Sequence, residues 1–185
     1  MICQVISSGF GYLAVFFNLL LFLSRDRRVI CVIKGVIEVF WALSYFLIER
    51  YTIAILALIA TVRQCVFFFR GKKDWADKRI WLYLFLALTL SSPVIETIVA
   101  VSRNLAFYQI AINFLPMIAS VFYVFAYYCK SALNTKFIAL PAVVIYLIYV
   151  YLIKNHAGIL GNILALLSLS LGLINEYVNS KQKKN

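Results

Sequence analysis

Apolar residues run along the chain in seven long blocks, at 3–23, 29–48, 51–69, 80–101, 107–128, 137–153 and 157–177. The polar stretches between them never exceed about ten residues. A hydrocarbon core about 30 Å thick needs roughly 20 apolar residues in a helix to cross it. Each block is therefore predicted to be a membrane-spanning helix, because open strands or irregular backbone could not satisfy their hydrogen bonds in lipid. The spacing of the blocks adds a second prediction. Adding 105 to the positions of the first three blocks lands on the last three, so that Ser24 maps to Cys129, Glu49-Arg50 to Lys154-Asn155 and Gly11 to Pro116. Blocks one and five then run in the same direction, and the fourth returns the chain between them. The predicted architecture is an all-α integral membrane protein of seven transmembrane helices. Two parallel three-helix repeats (3–69 and 107–177) are joined by a linker helix at 80–101, a 3+1+3 plan within a single membrane domain over 1–185.

Composition agrees with this pattern. Of the 185 residues 64% are apolar and 14% charged, against about 45–50% and about 25% in ordinary globular domains. A soluble domain is excluded, and the short polar gaps leave no room for a separate catalytic or nucleic-acid-binding one. The net charge of +11 would attract phosphate, but its distribution assigns it to topology. With the N-terminus external, the cytoplasmic side holds Arg25, Arg27, Arg28, Arg70, Lys72, Lys73, Lys78, Arg79, Lys130, Lys136, Lys181, Lys183 and Lys184. The external side holds Arg50, Arg103 and Lys154. That is the positive-inside bias. The expected partners are the lipid bilayer, with anionic lipid as a secondary contact, and a small solute, without nucleic acid. The run Ser24-Arg25-Asp26-Arg27-Arg28 follows the first apolar block, and no basic stretch precedes it, so the block is expected to be a retained anchor.

Reactive chemistry is sparse. Cys3, Cys31, Cys65 and Cys129 have no CxxC spacing and no histidine nearby in sequence, so they read as small apolar fillers. His156 is the only histidine. There is no nucleophile elbow, metal motif or phosphate-cradling glycine loop. The expectation is a non-enzyme with no metal and no cofactor.

Polar residues inside the blocks are more informative, since a polar atom facing lipid goes unsatisfied. Positions i, i+4, i+7 and i+11 share a helix face. The second block puts Lys34, Glu38, Trp41 and Tyr45 on one face, and the first puts Ser7, Gly11, Ala14 and Asn18. The fifth offers Gln109, Asn113, Pro116, Ser120, Tyr123 and Tyr127; the seventh offers Gly161, Ala165, Ser168, Gly172 and Asn175; the fourth offers Thr89, Ser92, Glu96 and Arg103. Small residues also serve plain helix packing, so the residues assigned to a candidate solute site are Asn18, Glu38, Trp41, Tyr45, Arg63, Asn113 and Tyr123. Lys34 is close enough to Arg28 to snorkel back to the surface. Glu38 and Arg63 lie 12 residues before and 13 after Arg50, which predicts equal depth and a direct ion pair. Arg63 is expected opposite the small stripe Ala54, Ala57 and Thr61. The pair reads either as a structural clamp or as the lining of a ligand site.

Gly11-Tyr12, the basic turn at 24–28, the run Trp41-Ala42-Leu43-Ser44-Tyr45-Phe46-Leu47, and Arg63 followed by Phe67-Phe68-Phe69-Arg70 together resemble the YgjV family of bacterial inner-membrane proteins. The resemblance is fullest over the first 75 residues and narrows later to the Asn155-His156-Ala157-Gly158 turn and the last helix. It implies a multi-pass protein of the bacterial inner membrane. More distantly, the 3+1+3 plan is similar to that of the SWEET, PQ-loop and KDEL-receptor superfamily, although Pro116-Met117 stands in place of a Pro-Gln dipeptide. That likeness implies a small-solute transporter with a midplane site between the repeats. The alternative is a non-transporting receptor or interaction protein using the same cavity.

Overall fold

The computed structural model describes the backbone of residues 2–47, 51–102, 107–152, 154 and 156–182. The side chains of 2–4, 51–53, 93–97, 99–102, 107–111, 113 and 177–182 lie outside that description. The described residues form eight α-helices and no strand: α1 Ile2–Leu20, α2 Arg27–Leu47, α3 Tyr51–Phe69, α4 Asp74–Asp77, α5 Ile80–Ser102, α6 Phe107–Tyr128, α7 Ala132–Leu152 and α8 His156–Gln182. Seven match the apolar blocks, and α4 is a single turn in the 70–79 connection. Among the described residues, three helices are long and apolar enough to cross a membrane, over Arg27–Leu47, Ala132–Leu152 and His156–Glu176; shorter apolar stretches are described in α1, α3, α5 and α6. Large apolar side chains such as Phe16, Phe46, Ile55, Tyr83, Phe137 and Ile174 stand exposed on the outside, a surface suited to lipid and not to water.

Hairpins place α2 between α1 and α3, and α7 between α6 and α8, while α1 packs on α8. The ring closes tightly at α1 and α8 and touches only lightly at α3 and α6; α5 packs against α6 and more lightly against α3. The starts of α1 and α6 (Ile2, Phe107), α2 and α7 (Arg27, Ala132), and α3 and α8 (Tyr51, His156) are each 105 residues apart.

Local chemistry sets the helix ends. Asp26 Oδ1 accepts the Arg28 N–H at 2.8 Å, starting α2 as an N-cap does. The Arg27 side chain turns inward and is buried. Its guanidinium donates to the carbonyls of Phe67 at 2.6 Å and Arg70 at 2.9 Å, at the end of α3 where carbonyls lack the regular helical partner. After α1, the Phe22 N–H donates to Ser168 Oγ on α8 at 2.9 Å. Gly172 makes that approach possible, because a Cβ there would lie 2.1 Å from the Phe22 carbonyl oxygen.

The sixth block was expected to begin at 137, but α7 begins at Ala132. The cause is Lys136, which is completely buried, with its Nζ 2.6 Å from Glu176 Oε1 and 3.4 Å from the Gly172 carbonyl. A charge counted as cytoplasmic surface is in fact interior, neutralised by a carboxylate 40 residues away. Phe67 and Gly172, whose carbonyls receive Arg27 and Lys136, are themselves 105 residues apart. Arg70 covers the Tyr128 ring at 3.2 Å, and Asp77 lies 3.4 Å from Arg70 Nε and 3.3 Å from Lys130 Nζ. These contacts gather at one end of the bundle, which we term the basic end.

Candidate functional site

The helices enclose a central cavity of about 580 Å³, a size that suits a small organic molecule. Asn18 of α1, Glu38, Trp41 and Tyr45 of α2, Arg63 of α3 and Tyr123 of α6 all line it. The Asn113 side chain falls outside the described residues. The face predicted on α2 is thus a continuous wall, with Trp41 stacked on Tyr45 at 5.6 Å between ring centroids. On α1 the predicted stripe mostly faces α2. Ser7 Oγ lies 2.9 Å from Ser44 Oγ, and a Cβ on Gly11 would meet the Trp41 ring at 3.7 Å; Asn18 alone of that stripe reaches the cavity.

Two expectations about the charges are corrected. Lys34 does not snorkel to the surface. It is buried, forms an ion pair with Glu38 at 2.8 Å within α2 and sits 5.0 Å from the centre of the Tyr123 ring. Glu38 therefore pairs with Lys34 and not with Arg63. Gly35 packs opposite Gln64, which brings Arg63 level with Val36, about 3 Å along the axis from Glu38. A lysine one turn away on the same face needs no match of depth or rotation between helices. The second correction concerns the face on α3. Arg63 shares the cavity wall with Leu56, Ala57, Ile59 and Ala60, and so does not lie opposite Ala57. It is 6% exposed, and its Nε has no hydrogen-bond partner.

Sequence reasoning assigned no site residue to α7 or α8. Tyr146, Tyr149 and Asn162 line the cavity, with Tyr146 Oη 3.1 Å from Ser120 Oγ and its ring 5.9 Å from that of Tyr123. The signal was present, because Ala139, Ala142, Tyr146 and Tyr149 occupy one face of α7 by the same periodicity used elsewhere. Asn162 donates to the Gly158 carbonyl one turn back at 2.9 Å. Thr89 and Ser92 reach the cavity from α5, which makes that helix a wall as well as a connection.

A second hollow of about 610 Å³ opens at the basic end, among Arg25, Asp26, Arg27, Arg28, Arg70 and Lys130. Arg27 is occupied there as a cap and Arg70 as the neighbour of Tyr128 and Asp77. Partial desolvation raises the Asp77 pKa, but Lys130, the Gly71 N–H and Arg70 outweigh it and hold the carboxyl below its ordinary value. This region reads as a fastening, and the central cavity as the candidate site.

A family model, Imp-YgjV, described as bacterial inner membrane protein, matches the sequence over residues 5–180. No curated protein and no solved structure matches it.

Proposed function

The chain belongs to the YgjV family of bacterial inner-membrane proteins, and on that premise we propose that it is a small-solute carrier of the inner membrane. In this reading the seven long helices all span the bilayer as two parallel triplets joined by α5. The N-terminus is external and the basic end faces the cytoplasm, as the positive-inside bias favours. The observation that carries the proposal is the central cavity, whose walls combine both triplets and hold Lys34, Glu38 and Arg63 well inside the helices. Ionisable groups at such depth are costly and mark solute or ion pathways.

The packing supports a way of moving. The α1 and α8 seam is interlocked through Phe22, Ser168 and Gly172, whereas α3 and α6 barely touch. The triplets can rock about the first seam while the second opens, alternating access to a site between them. The test is uptake of radiolabelled glucose, alanine and benzoate by proteoliposomes of the purified chain. Flux of at least one probe above protein-free vesicles is expected, with loss in Ala60→Trp, which fills the cavity from α3. Binding to the purified protein without flux of any probe would replace the carrier by a ligand-sensing receptor.

A further inference from the structure

We propose that the central cavity takes a small organic monocarboxylate with an apolar body, and that Arg63 is the residue that receives its carboxylate. This rests on the reading of the cavity as the solute site and names the chemistry of that solute. The starting point is the balance of charge. Among the described residues, the cavity is lined by three ionised side chains, Lys34, Glu38 and Arg63. Lys34 and Glu38 neutralise each other at 2.8 Å, and the free side of the ammonium is covered by the Tyr123 ring. Arg63 is left over. It is more than nine-tenths buried, aimed into the cavity, without a hydrogen bond at Nε and without an ion pair among the described residues.

The cavity therefore keeps one uncompensated positive charge in low-dielectric surroundings, where an anion is attracted far more strongly than in water. The planar guanidinium matches a carboxylate with two parallel hydrogen bonds, a geometry that a spherical anion cannot use. The rest of the solute meets the surfaces beside Arg63. On α3 these are Leu56, Ile59 and Ala60, and across the cavity they are the rings of Tyr123 and Tyr146, so an apolar or aromatic body is favoured. Glu38 sets the upper limit on charge. A second carboxylate on the solute would approach a carboxylate already satisfied by Lys34, and like charges at close range in such a site repel strongly.

The test uses the full-length chain in detergent, with thermal unfolding and calorimetric binding as readouts. The probes are benzoate, its neutral counterpart benzamide, the dicarboxylate phthalate, and chloride. Benzoate is expected to bind and raise the unfolding temperature, with benzamide, phthalate and chloride each at least tenfold weaker. Arg63→Gln should abolish the preference for benzoate over benzamide, and Arg63→Lys should restore part of it. Glu38→Gln should admit phthalate, a gain that a damaged fold cannot mimic. Equal binding of benzoate and benzamide, chloride matching benzoate, or a Glu38→Gln variant that still excludes phthalate would each overturn the assignment. Benzoate binding without flux in proteoliposomes would overturn the carrier reading and leave this one standing. Flux of alanine or glucose undiminished in Arg63→Gln, with no benzoate binding, would do the reverse.

Discussion

Lys34 and Glu38 lie one turn apart on α2 with Nζ and Oε1 separated by 2.8 Å, and both face the central cavity. An ion pair one turn apart on a single helix forms with that helix and does not depend on its neighbours. Coupling between the two should therefore survive changes in the packing of α2 on α3. In thermal unfolding in detergent, Lys34→Met or Glu38→Gln alone should cost about 3–5 kcal/mol by leaving a buried charge unpaired, and the double variant should recover much of it. The corresponding cycle between Glu38 and Arg63, which share the cavity without an ion pair, should give a clearly smaller coupling. Strong coupling there, with none to Lys34, would contradict the pairing described.

Gly172 should be intolerant of any side chain. A Cβ at that position would lie 2.1 Å from the Phe22 carbonyl oxygen, and backbone cannot yield as a side-chain tip can. Gly172→Ala should destabilise the protein by about 1–3 kcal/mol, the range of an overpacked interior. Gly9, with nothing within 4 Å of its notional Cβ, is the control. Gly9→Ala should be neutral or stabilising by up to about 1 kcal/mol. Equal effects at the two sites would remove the interlock.

Lys136→Met should also be costly. The substitution leaves Glu176, whose carboxylate lies 2.6 Å from the ammonium, without its cation; the loss should reach about 3–5 kcal/mol. Adding Glu176→Gln should return part of it. A variant as stable as the parent would place Lys136 at the surface.

The fastening at the basic end should weaken in acid. Lys130, the Gly71 N–H and Arg70 keep the folded Asp77 pKa below its unfolded value despite partial desolvation. The stabilisation is then present at neutral pH, above an unfolded value of about 3.9, and is lost as the pH falls through the depressed folded value. Asp77→Asn should lower the unfolding temperature at pH 7, and the difference from the parent should vanish at the acid end of a titration. A difference that stays constant across pH would show that the charge of Asp77 plays no part.

Orientation is open to labelling. In a cysteine-free background, Lys154→Cys should react with an impermeant thiol reagent in spheroplasts, and Lys73→Cys should react only after lysis. The opposite pattern would invert the proposed topology.

Much of the helix plan was legible because the length of an apolar run is written locally. The positions of the turns and the recurrence at 105 residues needed only apolar run lengths. The cavity-facing side of α2 needed only helical periodicity, which puts Lys34, Glu38, Trp41 and Tyr45 on one face. Partners were not legible wherever the decisive contact was distant or rotational. Lys136 looked like surface charge because Glu176 is 40 residues away. Glu38 was matched to Arg63 by depth alone, and depth says nothing about which way a helix is turned. Tyr146 and Tyr149 were overlooked because α7 carries no charged residue between Phe137 and Leu152 to draw attention to its inner face.

The interlock of Phe22 with Ser168, the cover of Arg70 on Tyr128 and the reach of Lys130 to Asp77 all join the first half of the chain to the second, and all lie at the basic end. In kinetic terms, any motion that parts the two halves at this end must break several bonds together, so its rate would be set by residues that do not line the central cavity.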